Sequence, residues 1–183
     1  MEYIKAGQEQ TNRTLESAFE FAKQYGVETV VVASTWGETG VKAARTGRNL
    51  GLGVVVVTHN VGFKEPGILE LTPENRTAIL EAGGTVHTGT MVLRGLGSAM
   101  RKRFGTSDEE RTAAVLRLFG QGMKVCVEMA AMVADAGLVG TEDIVCVAGT
   151  GRGADTAVLI RPAPSNGFFD IKVRHIISKP QDF

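Results

Sequence analysis

Cysteine and aromatic residues are scarce in this chain, and no apolar run in it is long. Two of the 183 residues are cysteine, one is tryptophan, and aromatic residues make up 6% of the total. No apolar stretch approaches about 20 residues, the length that crosses a bilayer, so we expect no membrane span. The opening residues, MEYIKAGQEQ, lack the apolar region of a secretion signal, which favours a cytoplasmic protein.

Excess charge and recognisable reactive motifs are also missing. The 20 basic residues balance the 20 acidic ones, which disfavours a nucleic-acid partner, because such domains usually carry basic patches. Cys126 and Cys146 stand in apolar runs at a spacing that matches no metal or redox motif, so we expect reduced core residues. Ser–His–Asp, metal-cluster and paired-carboxylate motifs are absent, so no metal site is predicted and the catalytic residues stay unknown.

Strand-like and helix-like segments alternate along most of the chain. The apolar periodicity predicts helices in TNRTLESAFEFAKQYG, ETGVKAARTGRNLG, TPENRTAILEAGG, RTAAVLRLF and GMKVCVEMAAMVADAGL. Short apolar runs predict strands in ETVVVAS, GVVVVTHN, TVHTGT, EDIVCVAG, TAVLIRPA and FDIKVRHIIS. Uniformly apolar strands between helices are typical of a parallel sheet covered on both faces. We therefore predict one α/β domain over residues 1–183, a three-layer sandwich whose mostly parallel sheet has antiparallel strands at one edge.

Helix ends carry local signals, and one segment carries none. Thr72 followed by Pro73 predicts a helix start, and Ser107 with Glu110 has the spacing of a capping box. Gly26 is placed as the cap that ends the first helix. The segment MVLRGLGSAMRKRFGTS, residues 91–107, fits neither period, so we expect a mobile loop, a lid or a contact in a homo-oligomer.

Turns rich in glycine and hydroxyl residues follow four of the predicted strands. Parallel strands all end at the same edge, and ligands of open parallel sheets bind there. Glycine lets backbone approach a ligand closely, and helix-start amides with Ser or Thr hydroxyls suit an anion. The predicted binding residues are Ser34, Thr35, Trp36, Gly37, Thr39, Gly40, Thr58, His59, Asn60, Thr88, Gly89, Gly149, Thr150, Gly151, Arg152 and Gly153.

Plainer interpretations of the same residues stay open. Glycine, serine and threonine dominate ordinary strand–helix turns for local reasons. His59 is equally consistent with acid–base chemistry and with simple hydrogen bonding. Trp36 and Phe63 either stack on a flat ring or only cover their turns. Glu38 stands three residues after Thr35, so its plainer role is helix capping.

Two nucleotide-binding motifs can be set aside. GTGRGA fits a dinucleotide pattern, but a strand follows it where that motif requires a helix. A P-loop sequence is absent as well.

The stretch ETVVVASTWGETGVKAARTGRNLGLGVVVVTHN resembles the carboxy-terminal domain of pyruvate kinase, where a strand enters a Ser/Thr-Gly loop and a helix. The later stretch GMKVCVEMAAMVADAGLVGTEDIVCVAGTGRGADTAVLIRP is also similar, and the resemblance runs from about Leu15 to Pro162. It implies a phosphate at Thr35, Gly37, Thr39 and Gly40, with residues 149–153 close by. Pyruvate kinase activity is not implied, because the catalytic barrel is missing.

The chain is most similar to stand-alone proteins of that family, which are associated with flavin mononucleotide (FMN). The resemblance implies a small-molecule phosphate ligand, FMN above all, with the ring against Trp36 or Phe63 or near His59. Glu38 departs from what a phosphate loop prefers. A regulatory or sensory module for a phosphorylated metabolite, a flavin-dependent oxidoreductase and an oligomeric scaffold are the alternatives.

Overall fold

Seven strands and six α-helices make up the fold in the computed structural model, which describes residues 2–183. The strands are β1 (Glu2–Ile4), β2 (Thr29–Ala33), β3 (Gly53–Val57), β4 (Thr85–His87), β5 (Ile144–Ala148), β6 (Thr156–Arg161) and β7 (Lys172–Pro180). The helices are α1 (Thr11–Tyr25), α2 (Glu38–Leu50), α3 (Pro73–Glu81), α4 (Gly95–Phe104), α5 (Asp108–Leu116) and α6 (Gln121–Asp135).

All seven strands join one sheet in the order β1-β7-β6-β5-β2-β3-β4. Strands β5, β2, β3 and β4 run parallel, whereas β6 pairs antiparallel with both β5 and β7. The predicted mostly parallel sheet is therefore confirmed. The last strands pair antiparallel as predicted, but they do not form the edge of the sheet. The edge strand is β1, which pairs parallel with β7 and had no signal in the sequence.

Helices cover both faces, so the three-layer sandwich is confirmed. On one face, α1, α2 and α3 pack on alternate strand residues such as Val30 and Val32, while α6 packs on the opposite face against Val31 and Cys146. Helix α5 packs beside α6, and α4 beside α5. Cys126 and Cys146 are buried free thiols, as expected. Among the helices of residues 2–183, none is long and apolar enough to cross a membrane.

The capping signals are confirmed at three helix ends. Thr72 Oγ1 accepts a hydrogen bond from Asn75 N at 3.2 Å, and Ser107 Oγ accepts one from Glu110 N at 3.1 Å. The other half of the capping box does not form, because the Glu110 carboxylate accepts from Ser98 Oγ instead. Gly26 closes α1 in the left-handed conformation with φ 68°.

The prediction of a loop over residues 91–107 is wrong for its central part, since residues 95–104 form helix α4. Gly97, which obscured the helical period, is a close-packing residue. A Cβ there would lie 2.7 Å from Glu109 Cβ, so only glycine lets α4 approach α5 so closely.

Candidate functional site

A cleft of about 460 Å³ opens at the carboxyl ends of β2 and β5. The chain leaves β2 toward α2 and β3, whereas it leaves β5 toward β6 on the other side, so a crevice forms between them. Such a switch point is where ligands bind in open α/β sheets. Predicted residues that line the cleft are Ser34, Thr35, Trp36, Thr39, His59, Gly149, Gly151, Arg152 and Gly153.

The loop after β2 is held by its own contacts. Ser34 Oγ accepts a hydrogen bond from Gly40 N at 3.0 Å in the first turn of α2, whereas the N-cap residue, Gly37, makes no side-chain capping bond. Gly37 has φ 106°, and a Cβ there would lie 2.4 Å from Asn75 Cβ. At Gly40 a Cβ would lie 2.7 Å from Val56 Cγ1. Gly37 and Gly40 therefore serve packing and lie outside the cleft lining, while Thr35 remains available to a ligand.

The loop after β5 is fastened by one buried carboxylate. Asp155, which is fully buried, accepts hydrogen bonds from Gly7 N, Thr150 N and Thr156 Oγ1 at 2.9–3.1 Å. A Cβ on Gly149 would lie 2.5 Å from the carbonyl oxygen of Gly153. The glycines thus permit a tight turn between β5 and β6, which presents Arg152 at its exposed tip.

Four residues of the N-terminal segment that the sequence did not reveal also line the cleft: Gln8, Glu9, Thr11 and Asn12. Thr11 Oγ1 accepts a hydrogen bond from Ala154 N at 3.0 Å, which joins this segment to the loop after β5. The contact spans 143 positions of sequence, so no local pattern could have indicated it.

Cations and carboxylates share the mouth of the cleft. Lys42, Arg94 and Arg152 line it together with Glu9 and Glu38. Excess positive charge at the mouth suits an anionic ligand, and the first amides of α2 add donors that have no partner within the helix.

Trp36 makes one contact through its ring and another through its backbone. The Arg152 guanidinium lies over the indole ring, 4.8 Å from its centroid, so one face of the ring is covered. The Trp36 carbonyl oxygen accepts a hydrogen bond from Asn75 Nδ2 at 2.8 Å, which fixes the turn on α3. The side chain therefore lines the cleft on a turn that its own backbone holds in place.

His59 belongs to a cluster with Glu70, Phe63 and Arg94. Its Nδ1 lies 2.8 Å from Glu70 Oε2, and its ring stacks on Phe63 at a centroid distance of 3.7 Å. The Arg94 guanidinium lies 4.4 Å from the centroid of the same Phe63 ring. Two side chains thus pack against the Phe63 ring, and the carboxylate orients the imidazole in the cleft wall.

The remaining predicted residues do not line the cleft: Gly37, Gly40, Thr58, Asn60, Thr88, Gly89 and Thr150. Thr58 Oγ1 lies 2.7 Å from Thr88 Oγ1, so these hydroxyls bond to each other. Asn60 Nδ2 donates to the carbonyl oxygen of Val61 at 2.8 Å. The Thr150 hydroxyl is buried without a hydrogen-bond partner among the residues described.

A smaller chamber of about 100 Å³ adjoins the cleft on the α6 side. Thr58, Arg117, Lys124 and Glu128 line it, and His59 and Arg94 line both spaces. Lys124 Nζ lies 2.5 Å from Glu128 Oε2, and these side chains are 3% and 1% exposed. Burial lowers the pKa of Lys124, and the opposing effect of Glu128 does not cancel it. The sequence shows that Lys124 and Glu128 are four positions apart, but it does not show that both side chains are buried.

A second concavity fits a polar ligand less well. A concavity of about 450 Å³ between α5, α6 and β7 is mostly apolar, and is lined by Leu116, Phe119, Met123, Val173, Arg174, His175 and Ile176. Over residues 5–183, whose side chains the structure describes, no group of His, Cys, Asp or Glu is arranged to hold a metal ion.

No known family model matches the chain. Similar solved structures include O-ureido-L-serine synthase, with a TM-score of 0.34 and 16% identity over 74% of this chain and 50% of that one. A mutant of that synthase with O-ureido-L-serine bound gives a TM-score of 0.33 and 18% identity over 74% and 49% of the two chains. The chain thus spans about half the length of these structures, and a likeness this low carries no inference about function.

Proposed function

We propose that this protein binds a small phosphorylated ligand in the cleft between β2 and β5, and that FMN is the leading candidate. The observation that carries the proposal is the meeting of the two loops at the switch point of the sheet, with Lys42, Arg94 and Arg152 around one cleft. The motif order that resembles the pyruvate kinase carboxy-terminal domain supports the same ligand class.

The donor set suits a phosphate. Thr35 and Thr39 line the cleft beside the first turn of α2, where amides and the helix dipole favour an anion. Lys42 lies on the next turn of the same helix, and Arg152 reaches the cleft from the loop after β5. Glu38 opposes them in charge, but it is exposed at the helix start, where a carboxylate also stabilises the helix.

The residues also fit a flat ring, with one restriction. The Phe63 ring already packs against two side chains, so Trp36, with one face covered by Arg152, is the better platform for a flavin. A bound flavin would supply hydride-transfer chemistry, while the chain's own residues would bind and orient it. The His59–Glu70 pair would hold a fixed imidazole in the wall beside it.

Absorbance of the purified protein tests the flavin, and a thermal-shift titration tests the phosphate. We expect FMN to raise the melting temperature more than riboflavin, which has the same ring without the phosphate. Arg152→Gln removes a charge-assisted contact of about 1.5–3 kcal/mol, so FMN affinity should fall about 10- to 100-fold. Arg45→Gln, an equal charge change on the exposed side of α2, is the control and should leave affinity unchanged. A colourless protein that FMN does not stabilise would overturn the flavin assignment.

A regulatory module for another phosphorylated metabolite is the second candidate. The two side chains packed against the Phe63 ring favour it, because they reduce the aromatic surface that a flavin could use. A thermal-shift screen of sugar phosphates and nucleotides separates the candidates, since a module of this kind would respond to one of them and ignore FMN. A flavin-dependent oxidoreductase would additionally require that a nicotinamide cofactor reduce the bound flavin.

A further inference from the structure

The side chains that line the small chamber beside the cleft carry more positive than negative charge. Glu128 and Lys124 compensate each other, and Arg94 and Arg117 lie close enough to Lys124 to lower its pKa further. Arg117 Nε donates to the neutral Gln121 Oε1 at 2.8 Å, and Arg94 stacks on Phe63. Among the described side chains, those of residues 5–183, neither arginine has a carboxylate partner.

The buried ammonium also has unused hydrogen-bonding capacity. An ammonium group has three donors, and Glu128 is the one hydrogen-bond partner of Lys124 Nζ in the described part of the chain. Both Glu128 oxygens are engaged, one by Lys124 Nζ and the other by Leu93 N at 2.7 Å. Buried polar groups normally find partners, so the free donors of Lys124 indicate an acceptor in the chamber that Lys124 lines.

From these observations we propose that the chamber is an oxyanion subsite formed by Lys124, Arg117 and Arg94. It takes a compact acidic group, a carboxylate or a phosphate, and its volume of about 100 Å³ suits that size. Because Arg94 and His59 line both spaces, the group belongs to the ligand that occupies the cleft. This inference rests on the proposed function, and it specifies a ligand with two separated acidic groups. FMN carries one such group, its phosphate, so the chamber favours the second candidate, another phosphorylated metabolite.

The test isolates the chamber by first weakening the cleft mouth. In an Arg152→Gln background, inorganic phosphate and acetate are titrated at constant ionic strength against chloride, with melting temperature and calorimetry as readouts. We expect at least one of the two to bind, and the tighter one identifies the source as phosphate or carboxylate. Adding Arg117→Gln should weaken that binding about 10-fold, the loss of about one charge-assisted hydrogen bond, whereas Arg117→Lys should retain most of it.

A second variant keeps the net charge constant. Lys124→Gln with Glu128→Gln replaces the buried ion pair by two amides, so lost oxyanion binding cannot be attributed to overall charge. Where this variant fails to fold, as circular dichroism would show, Arg117→Gln decides.

The outcomes separate the two proposals. Binding in wild type that disappears with Arg152→Gln alone would overturn the chamber and leave the cleft proposal intact. Binding unaffected by Arg152→Gln but lost with Arg117→Gln would support the chamber and count against the cleft mouth. Binding insensitive to Arg117→Gln and to the amide pair would also overturn the chamber.

Discussion

The loops after β2 and β5 supply most of the predicted residues that line the cleft, whereas those after β3 and β4 contribute little to it, although all four have a similar composition. Eight of the eleven predicted residues after β2 and β5 line the cleft, whereas His59 is the one of the five predicted after β3 and β4 that does so, with Phe63 of the same loop beside it. Position in the sheet order decides this difference, because only β2 and β5 are neighbours whose chains depart to opposite sides. Glycine and threonine residues therefore have different roles in the two pairs of loops.

Removing the anchor of the β5 loop should have the largest effect. Asp155→Ala leaves Gly7 N, Thr150 N and Thr156 Oγ1 without their acceptor in a buried place, so the free energy of unfolding should fall by about 3 kcal/mol or more. Urea denaturation measures the loss. Asp143→Ala, which breaks the more exposed pairs with two arginines, should cost about 1 kcal/mol or less. Equal losses in the two variants would show that Asp155 is not the anchor.

Two predicted site glycines offer a matched comparison of the two pairs of loops. Gly37→Ala adds a Cβ against Asn75 at a positive φ, so we expect a loss of about 2–3 kcal/mol in unfolding free energy. Gly89→Ala meets only the distal ring atoms of His87, which can move, so we expect about 1 kcal/mol or less. Chemical denaturation of both variants gives the ranking, and the reverse order would contradict the packing role of Gly37.

The hydroxyl pair behind the β3 and β4 turns should affect stability but not binding. Thr88→Val removes the bond between Thr88 Oγ1 and Thr58 Oγ1, at a cost of about 0.5–1.5 kcal/mol. Phosphate-ligand affinity should stay within error of wild type, because Thr88 does not line the cleft. A clear loss of ligand affinity at an unchanged free energy of unfolding would show that the turn after β4 contributes to the binding site.

Protonation of His87, at the end of β4, should have the smallest effect on the free energy of unfolding. Burial lowers the pKa of His87 below its usual 6.5, so the unfolded chain binds a proton more readily than the native one. The contribution of neutral His87 is present above 6.5 and is lost as pH falls through that value toward the lowered pKa. His87→Gln should flatten this part of the stability–pH curve, and an unchanged curve would exclude the histidine.

Repeated short-range patterns made most of the fold predictable. Val30, Val31 and Val32 form an uninterrupted apolar run, which is what a strand buried on both faces requires, and Gly26 and Thr72 mark helix ends through local hydrogen bonding. Strand β1 escaped prediction because three residues show no period, and its partner β7 lies at the other end of the chain. Helix α4 was not predicted because glycine has a low helix propensity, and Gly97 is needed for close packing against the neighbouring helix α5, which the local sequence does not show.

The candidate site was less predictable than the fold, for a related reason. Ser34, Thr35 and Arg152 stand directly after strands, so the order of elements was enough to bring them together. The bond between Gly7 and Asp155 and the burial of Lys124 depend on how distant segments pack, which the residue pattern does not encode.

The hydrogen bond from Gly7 N to Asp155 fixes the N-terminal segment beside the loop after β5. The residues before Gly7 form the edge strand β1, and the residues after it form a wall of the cleft. Edge elements are often the first to open in native-state fluctuations. A ligand that contacts Gln8 or Glu9 would bind the docked state better than the opened one, and linkage then requires the reverse coupling. Occupancy of the cleft and protection of β1 from hydrogen exchange or proteolysis should therefore rise and fall together.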